Sequence, residues 1–296
     1  MKVLLYGHAG WIGSQFASLV EDAGHTLARG TARCSDVAKL REEVAREEPS
    51  HVVSMIGRTH GRIGDSVFPT IDYLEKPGKL ADNVRDNLTA PVTLAALCKE
   101  KNIHFTYMGT GCIFEYDADH AMGPDGVGFT EHSAPNFTGS SYSTVKGATD
   151  QILHSMFGSA CLNLRIRMPI TASRHSRDFI TKITTYEKVC SMPNSMTVLP
   201  TLLPRIIELM GRGIVGTLNF TNPGVISHNK ILELYREHVD RNFTWENFSA
   251  DDQAKILASG RSNNRLDTAR LEALCPDIPG IEEAVIMALR GDSAHS

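Results

Sequence analysis

The sequence lacks paired cysteines, long apolar runs and an excess of either charge, and each absence excludes a class of protein. Its six cysteines stand singly along 296 residues, without a Cys-x-x-Cys pair, which argues against a zinc site and a disulfide framework. Only a short apolar run precedes the first glycine, so neither a signal peptide nor a membrane span is indicated. Lys and Arg number 30 against 34 Asp and Glu, which offers no basic surface for nucleic acid. We expect a cytoplasmic protein without metal, membrane or nucleic-acid partners.

Strand-like and helix-like segments alternate through the first half of the chain. Short apolar runs separated by helical patterns are typical of βαβ units, which build a parallel sheet covered by helices on both faces. After Arg167 the pattern becomes less regular and is interrupted by prolines. The sequence therefore predicts an α/β fold with a Rossmann-type, doubly wound parallel sheet over residues 1–167, to which residues around 213–228 return. A smaller α/β substrate lobe is predicted over most of 168–296.

The first candidate site is a glycine-rich turn between a predicted strand and a predicted helix. Its sequence is Gly-His-Ala-Gly-Trp-Ile-Gly, beginning at Gly7. Glycines permit a tight turn and close backbone approach to a pyrophosphate, and the helix N-terminus supplies amides and a positive dipole. The alternative is a glycine-rich turn without a ligand. We predict a dinucleotide site whose cofactor-binding residues include Gly7, Gly10, Trp11, Ile12 and Gly13.

The end of the second predicted strand indicates which dinucleotide binds. An NAD site usually has an acidic residue there for the ribose hydroxyls. This chain has no carboxylate in that stretch and instead has Arg29 and Arg33. Guanidinium groups pair well with a 2′-phosphate, so the sequence favours NADPH. The alternative is that one or both arginines face solvent.

A Tyr-x-x-x-Lys motif, Tyr142 to Lys146, is the second candidate site. Residues four apart lie on one face of a helix, so the ammonium can lie near the phenol and lower its pKa. Thr110 stands at the predicted end of an earlier strand. Together Thr110, Tyr142 and Lys146 form a set that can polarise a ketone and protonate its oxygen. Tyr142 and Lys146 are also predicted to bind the cofactor, with the lysine at the nicotinamide ribose.

Ordered stretches spread over nearly the whole chain resemble one known family. They are GHAGWIG, GTGCIFEYD, PNFTGSSYSTVKG, LRIRMPI, FITKI, PNSMTVL, NFTNPGVISHN and RSNN. The chain resembles the extended short-chain dehydrogenase/reductases and, within them, the nucleotide-rhamnose synthase/epimerase-reductases. The segment from Arg58 to Lys79 differs from the plant members of that family. The resemblance implies conversion of UDP-4-keto-6-deoxy-D-glucose into UDP-L-rhamnose with NADPH, a separate upstream 4,6-dehydratase, and a possible homodimer.

The resemblance also explains a thiol two residues beyond Thr110. A ketoreductase has no use for Cys112, whereas a 3,5-epimerase needs acid/base groups beside carbons acidified by the C4 ketone. GDP-fucose synthase, a similar epimerase-reductase, has a Ser-x-Cys arrangement with a histidine as second acid. The equivalent segment here implies Lys182 in that role. The alternatives are a buried core thiol for Cys112 and a phosphate contact or solvated side chain for Lys182, with His60 and His132 as unassigned rivals.

The nucleotide end of the substrate needs cations and hydrogen-bond donors. The resemblance implies that the Arg-Ser-Asn-Asn stretch binds substrate, with Arg261 on the diphosphate. Asn136 precedes the Tyr-x-x-x-Lys helix and can bind the sugar or its phosphate. Of Arg165 and Arg167, one can face the crevice and the other an ion pair. The predicted substrate-binding residues are Asn136, Arg261, Asn263 and Asn264.

Two alternative functions stay open from the sequence. The enzyme could be a 4-keto-reductase alone, or an epimerase-reductase for a dTDP- or GDP-linked deoxysugar, because the residues that read the base are not identifiable. A protein of another class, a non-catalytic NADP-binding regulatory subunit, is the second alternative. The complete Thr110, Tyr142 and Lys146 set argues against that second reading.

Overall fold

A six-stranded parallel sheet forms the framework of the computed structural model, which describes residues 1–123, 126–249, 252 and 259–291. The strand order is β2-β1-β3-β6-β7-β9, and every neighbouring pair in it is parallel. The predicted α/β fold with a doubly wound parallel sheet is therefore confirmed. The strands are β1 (Lys2–Tyr6), β2 (Thr26–Arg29), β3 (His51–Ser54), β4 (Gly61–Ile63), β5 (Ser66–Phe68), β6 (His104–Thr110), β7 (Cys161–Ile166), β8 (Lys188–Val189), β9 (Gly216–Asn219) and β10 (Glu246–Asn247).

Helices cover both faces of this sheet and build most of the C-terminal part. A 3-10 turn spans Ile71–Glu75, and a π-helical segment spans Arg85–Thr89. Within the described residues, no helix is long and apolar enough to cross a membrane. The α-helices are α1 (Trp11–Asp22), α2 (Val37–Glu47), α3 (Leu80–Val84), α4 (Ala90–Lys101), α5 (Ser141–Phe157), α6 (Phe179–Ile183), α7 (Leu199–Gly211), α8 (His228–His238), α9 (Ala269–Leu274) and α10 (Ile281–Arg290).

Alternation along the strands divides the core between the two faces of the sheet. Val3 and Leu5 pack in a cluster with residues of α1 and α7, whereas Leu4 packs in another with residues of α2, α4 and α5. Because successive side chains of a strand point to opposite faces, a continuous apolar run is what a two-sided sheet requires. A third cluster, which includes Ile170 and Val285, lies in the C-terminal part.

The strand order determines where a ligand can bind. The chain leaves β1 toward β2 on one side, and β3 lies on the other side, so the order reverses at β1. In open α/β sheets the crevice lies outside the carboxyl ends of the strands at such a reversal. The turn after β1 begins at Gly7 and β6 ends at Thr110, and both positions lie at this edge.

Candidate active site

The glycine turn is packed too closely for side chains at two of its positions. Gly7 has a φ of 81°, and a Cβ there would lie 2.8 Å from the Met55 carbonyl carbon. A Cβ on Gly13 would collide with the Gly7 carbonyl oxygen. Helix α1 begins directly after Gly10, so its first amides lie beside this bare backbone. The turn therefore fits a dinucleotide pyrophosphate, as the spacing predicts.

A cavity of about 250 Å³ lies beside this turn, where the adenosine end of a dinucleotide would extend. Arg33 lines it, together with Ser35, Arg58, Arg85 and Asp86. Arg29 does not line it, because its guanidinium pairs with Glu21 on α1 at 2.9 Å. Of the two arginines assigned to a 2′-phosphate from the sequence, the structure brings only Arg33 to the cavity.

An acidic residue does reach the turn after β2, but it comes from α2. Glu43 is 3% exposed and accepts hydrogen bonds from the Thr31 amide (2.8 Å), the Thr31 hydroxyl (2.7 Å) and the Ala32 amide (3.1 Å). Its second oxygen also accepts from the Tyr6 hydroxyl at 2.7 Å. Both oxygens of the Glu43 carboxylate therefore accept hydrogen bonds from protein groups. Glu43 stabilises the turn, and Arg33, which follows it, lines the cavity.

Thr110, Cys112 and Tyr142 converge at the end of β6. The Thr110 hydroxyl accepts from the Cys112 amide at 3.1 Å and donates to the Ile166 carbonyl at 3.3 Å. Half-buried Cys112 packs against a cluster that contains Tyr142 and Tyr73. Burial and the Cys112 thiol raise the pKa of Tyr142, while a hydrogen bond with Thr110 opposes the rise. Three of the predicted catalytic side chains thus meet in one place.

Helix α5 presents Tyr142 from its first turn. Ser140 precedes the helix, and its hydroxyl accepts from the Ser143 amide at 3.0 Å. Serine at this position satisfies an amide that the helix itself cannot, and so fixes where the helix begins. The cap thereby sets the position of Tyr142 relative to the end of β6.

Lys146 contacts a tyrosine other than the predicted one. Its ammonium donates to the Tyr107 hydroxyl and lies 4.5 Å from the centre of that ring. Burial lowers the pKa of Lys146 to about 7, although Asp150 and Cys112 act in the opposite direction. The hydrogen bond of Lys146 thus goes to Tyr107 and not to Tyr142, and the spacing of the motif does not indicate this neighbour.

Lys182 lies in α6, within a cationic group at the same edge of the sheet. Burial and the neighbouring Arg177 lower the pKa of Lys182, whereas Asp178 opposes this change. Arg177 Nη2 donates to His60 Nε2 at 2.5 Å, and burial and Arg177 lower the pKa of His60 as well. His175, from the loop before α6, stacks on Trp11 with ring centroids 5.1 Å apart, so this loop lies against the glycine turn.

Of the predicted substrate residues, Arg261 and Asn263 are partly exposed and Asn264 is not. Arg261 pairs with Asp72 at 2.8 Å. Asn263 accepts from the Asn194 amide group at 2.9 Å. Asn264 is fully buried, and its amide donates to the carbonyls of Gly111 (3.0 Å) and Phe114 (2.9 Å). Asn264 therefore supports the loop that carries Cys112. The sequence alone could not distinguish this structural role from substrate binding.

Asn136 has a similar supporting geometry at the surface. Its side chain accepts from the Glu115 amide at 2.9 Å and donates to the Glu115 carbonyl at 3.0 Å and to Asp117 at 2.8 Å. These three bonds fix the loop that follows Cys112. They use both ends of the amide group.

Arg165 and Arg167 are both 1% exposed, so neither faces the crevice. The sequence predicts an ion pair for one of these two arginines, and Arg165 forms it with Asp150. Arg167 donates to the Gly111 carbonyl at 2.9 Å and to Ser262, and so joins the Cys112 loop to the Arg-Ser-Asn-Asn stretch. His132 packs edge-on against His154. Among the described residues, no cluster of side chains could hold a metal ion.

Residues 3–186 match the sequence pattern of the NAD dependent epimerase/dehydratase family. The chain belongs to this family. The match covers the glycine turn, the Tyr-x-x-x-Lys helix and Lys182. The family is NAD dependent, and the glycine turn beside the cavity fits the pyrophosphate of a nicotinamide dinucleotide.

Two relatives are similar over nearly the whole chain. Protein L780 of Acanthamoeba polyphaga mimivirus is 48% identical over 96% of this chain and 98% of its own length. A crystal structure of L780, named there a UDP-rhamnose synthase, superposes with a TM-score of 0.93 and covers 98% of this chain and 99% of that one. A bifunctional dTDP-4-dehydrorhamnose 3,5-epimerase/reductase of Arabidopsis thaliana is 43% identical over 96% of this chain and 90% of its length.

A third relative combines more activities in one chain. It is an Arabidopsis trifunctional UDP-glucose 4,6-dehydratase, UDP-4-keto-6-deoxy-D-glucose 3,5-epimerase and UDP-4-keto-L-rhamnose reductase, and is 42% identical over 97% of this chain. The present chain spans 41% of that protein's length.

Proposed function

We propose that this protein is a bifunctional 3,5-epimerase/4-keto-reductase that converts UDP-4-keto-6-deoxy-D-glucose into UDP-L-rhamnose with NADPH. The observation that carries the proposal is the meeting of Thr110, Cys112 and Tyr142 at the end of β6, beside a dinucleotide cradle. A ketoreductase alone needs the hydroxyl groups, whereas the thiol adds a group suited to proton exchange. The 47% identity to a structurally similar UDP-rhamnose synthase supports the same conclusion.

The reductive half of the reaction uses the cradle and two hydroxyl groups. NADPH supplies a hydride for C4 of the sugar when it is bound. The glycine turn would hold its pyrophosphate and Arg33 its 2′-phosphate. Thr110 orients the C4 oxygen, and Tyr142 gives that oxygen a proton. Lys146, whose pKa burial lowers to about 7, lies one helical turn beyond Tyr142 and donates to Tyr107, so its effect on Tyr142 is indirect.

Epimerisation precedes reduction and uses the same ketone. Loss of a proton from C3 or C5 gives an enolate, whose negative oxygen Tyr142 stabilises by a hydrogen bond. The Thr110 hydroxyl adds a second hydrogen bond when it turns from the Ile166 carbonyl toward this oxygen. Inversion requires that one group remove the proton and another return a proton to the opposite face of the ring. We assign these roles to Cys112 and Lys182. The lowered pKa of Lys182 supports its use as an acid/base group, because a neutral amine can accept a proton.

The nucleotide diphosphate would lie toward the C-terminal part of the chain. Arg261 is our candidate for its phosphates and Asn263 for a further polar contact. We infer that Asn264 and Asn136 act indirectly, by holding the loop around Cys112. The division into a Rossmann domain of residues 1–167, with 213–228, and a substrate lobe over the rest of 168–296 stays our proposal; residues 250–251, 253–258 and 292–296 lie outside the described part.

The product chemistry requires a partner enzyme. A 4,6-dehydratase must supply the 4-keto sugar, and the trifunctional Arabidopsis relative includes that activity in its longer chain. We propose that a separate dehydratase supplies it here. Assembly as a homodimer and a cytoplasmic location stay predictions.

A dTDP-linked substrate is the second candidate, because the bifunctional Arabidopsis relative is named for dTDP-4-dehydrorhamnose. The test is to offer purified protein the UDP-linked and dTDP-linked 4-keto-6-deoxyglucoses with NADPH and to identify the products by chromatography and NMR. We expect rhamnose on UDP, with a higher kcat/KM than for dTDP. Tyr142→Phe serves as the control, in which NADP⁺ binding persists and turnover falls at least about 100-fold. NADP⁺ binding without turnover of any nucleotide sugar would instead favour a regulatory subunit.

A further inference from the structure

The segment from Arg58 to Lys79 contributes to the candidate active site. It contains the β4–β5 hairpin and then the 3-10 turn Ile71–Glu75, which we call the 71–75 turn. The hairpin is largely exposed, whereas Tyr73 and Leu74 of the turn are buried. The turn is therefore the part of this segment that the rest of the protein holds.

One side of the 71–75 turn contacts the catalytic helix. Glu75 accepts from the Ser141 amide at 2.8 Å, and the Leu74 carbonyl accepts from the Ser141 hydroxyl at 3.3 Å. Tyr73 packs in one cluster with Tyr142. A carboxylate at the first amides of a helix is stabilised by their partial positive charge. The turn is thus fixed directly beside the catalytic tyrosine.

The other side of the turn contacts the C-terminal part of the chain through Asp72. The Asp72 carboxylate accepts from Arg261 Nη2 at 2.8 Å and from Arg261 Nη1 at 3.4 Å. It also accepts from the hydroxyls of Ser259 (2.8 Å) and Thr70 (2.6 Å). Arg261 Nη1 donates in turn to the Ser259 carbonyl at 3.2 Å. Both members of the pair are partly buried, with side-chain exposures of 19% for Asp72 and 26% for Arg261.

These contacts leave Arg261 able to bind a further anion. A guanidinium carries five N–H donors, and the bonds to Asp72 and Ser259 use both donors of Nη1 and one of Nη2. The remaining edge, Nε with the second hydrogen of Nη2, matches two phosphate oxygens. Burial acts to raise the pKa of Asp72, but hydrogen bonds from Arg261, Thr70 and Ser259 lower it overall. The carboxylate is thus charged and fully engaged, so it repels a nearby phosphate less than a free carboxylate would.

We propose that Asp72 is a positioning residue that holds Arg261 beside the catalytic tyrosine for the diphosphate of the substrate. The inference rests on the proposed function, which assigns the diphosphate to Arg261. An arginine side chain loses considerable rotamer freedom when it binds a phosphate. Asp72 and Ser259 restrict that freedom before the substrate arrives, and this preorganisation strengthens binding.

Isothermal titration of the purified full chain with UDP, and in parallel with dTDP, tests the proposal. The variants are Asp72→Asn, Arg261→Gln and the double variant, and Asp65→Asn is the matched control because Asp65 is exposed in the β4–β5 hairpin. We expect Asp72→Asn to weaken UDP binding about tenfold and Arg261→Gln to weaken it at least as much. The double variant should bind like Arg261→Gln alone, because Asp72 acts through Arg261. Titration with NADP⁺ should be unchanged in all variants, which shows that the fold is intact.

Other binding results would assign different roles to Asp72 and Arg261. If Asp72→Asn binds UDP as well as or better than the wild type while Arg261→Gln binds weakly, Asp72 does not position Arg261. If Arg261→Gln leaves UDP and dTDP binding unchanged, Arg261 does not bind the diphosphate and the inference fails with it. If the wild type binds NADP⁺ but neither UDP nor dTDP, the proposed function itself is wrong. If Asp72→Asn also loses NADP⁺ binding, the residue has a general structural role instead.

Discussion

At the scale of single residues, the chemistry of a side chain depends on neighbours that a motif does not specify. The Tyr-x-x-x-Lys spacing predicts a lysine beside Tyr142, yet Lys146 donates to Tyr107. Tyr107 belongs to β6 and its partner to α5, so the contact depends on how the helix packs on the sheet. Tyr107 lies in β6 and packs in one cluster with Leu153 of α5, so it faces the helix that carries Lys146. The sequence shows that Tyr107 belongs to the strand before Thr110, but not that this face meets α5.

Burial of Lys146 makes the stability of the protein depend on pH. Its pKa falls from 10.5 to about 7 on folding, so the unfolded chain binds more protons between these values. The contribution of Lys146 to the free energy of unfolding therefore rises as pH increases above about 7. We expect the stability of the wild type relative to Lys146→Met to increase by about 2 kcal/mol between pH 7 and pH 9, measured by urea denaturation. A constant difference would mean that Lys146 stays charged in the folded protein.

Substitution of Cys112 should distinguish the epimerisation step from the reduction step. A serine hydroxyl at this position is a much weaker acid than a thiol and exchanges protons poorly near neutral pH. We expect Cys112→Ser to reduce epimerisation of UDP-4-keto-6-deoxyglucose at least about 100-fold. Reduction of a substrate that is already epimerised, UDP-4-keto-L-rhamnose, should fall less than about threefold, because Thr110 and Tyr142 remain. Equal loss of both activities would contradict the assignment of Cys112 to proton transfer.

At the scale of elements, the turn after β2 shows why one of two similar arginines borders the cavity. Arg29 is the last residue of β2 and pairs with Glu21 of α1, whereas Arg33 follows a turn held by Glu43. Strand registry and the contact with α1 determine this difference. The sequence shows two arginines, Arg29 and Arg33, near the end of β2, but it does not show which of them faces the cavity.

The two arginines form a matched pair for cofactor binding. We expect Arg33→Ala to weaken NADP⁺ about 10- to 100-fold and to change NAD⁺ affinity little, because only NADP⁺ carries a 2′-phosphate. Arg29→Ala should leave both affinities within about twofold, because a surface ion pair contributes little. Isothermal titration with the two cofactors measures these ratios. Selectivity that depends on Arg29 would contradict the cavity as the 2′-phosphate site.

The sequence pattern from about Gly78 to Glu100 predicts one long helix, but the structure interrupts it with the π-helical segment Arg85–Thr89. Pro91 has no N–H to donate to the Asn87 carbonyl four residues earlier, and the Thr149 hydroxyl donates to that carbonyl at 2.7 Å instead. The Asn87 side chain meanwhile donates to the Arg58 carbonyl at 2.9 Å. The proline was visible in the sequence, but the partners that satisfy the opened backbone come from distant segments.

At the scale of the whole molecule, local patterns predicted the sheet better than the C-terminal part. The first five strands of the main sheet follow from apolar runs with helical patterns between them, because each βα unit packs on the one before. The C-terminal contacts join residues far apart in sequence. Arg167, for example, bonds to Gly111 and Ser262, and such pairs cannot be inferred from periodicity. For the same reason the Asp72–Arg261 pair was not predicted, although Arg261 was selected as a site residue.

In the proposed function, one active site performs both proton exchange and reduction. The most direct test is to incubate the protein with UDP-4-keto-6-deoxyglucose and NADPH in heavy water, and to follow NADPH absorbance and the mass and NMR spectrum of the product. We expect NADPH to be consumed and deuterium to appear at both C3 and C5 of UDP-L-rhamnose. Consumption of NADPH without deuterium at either carbon would contradict the epimerase assignment, because the protein would then be a reductase alone.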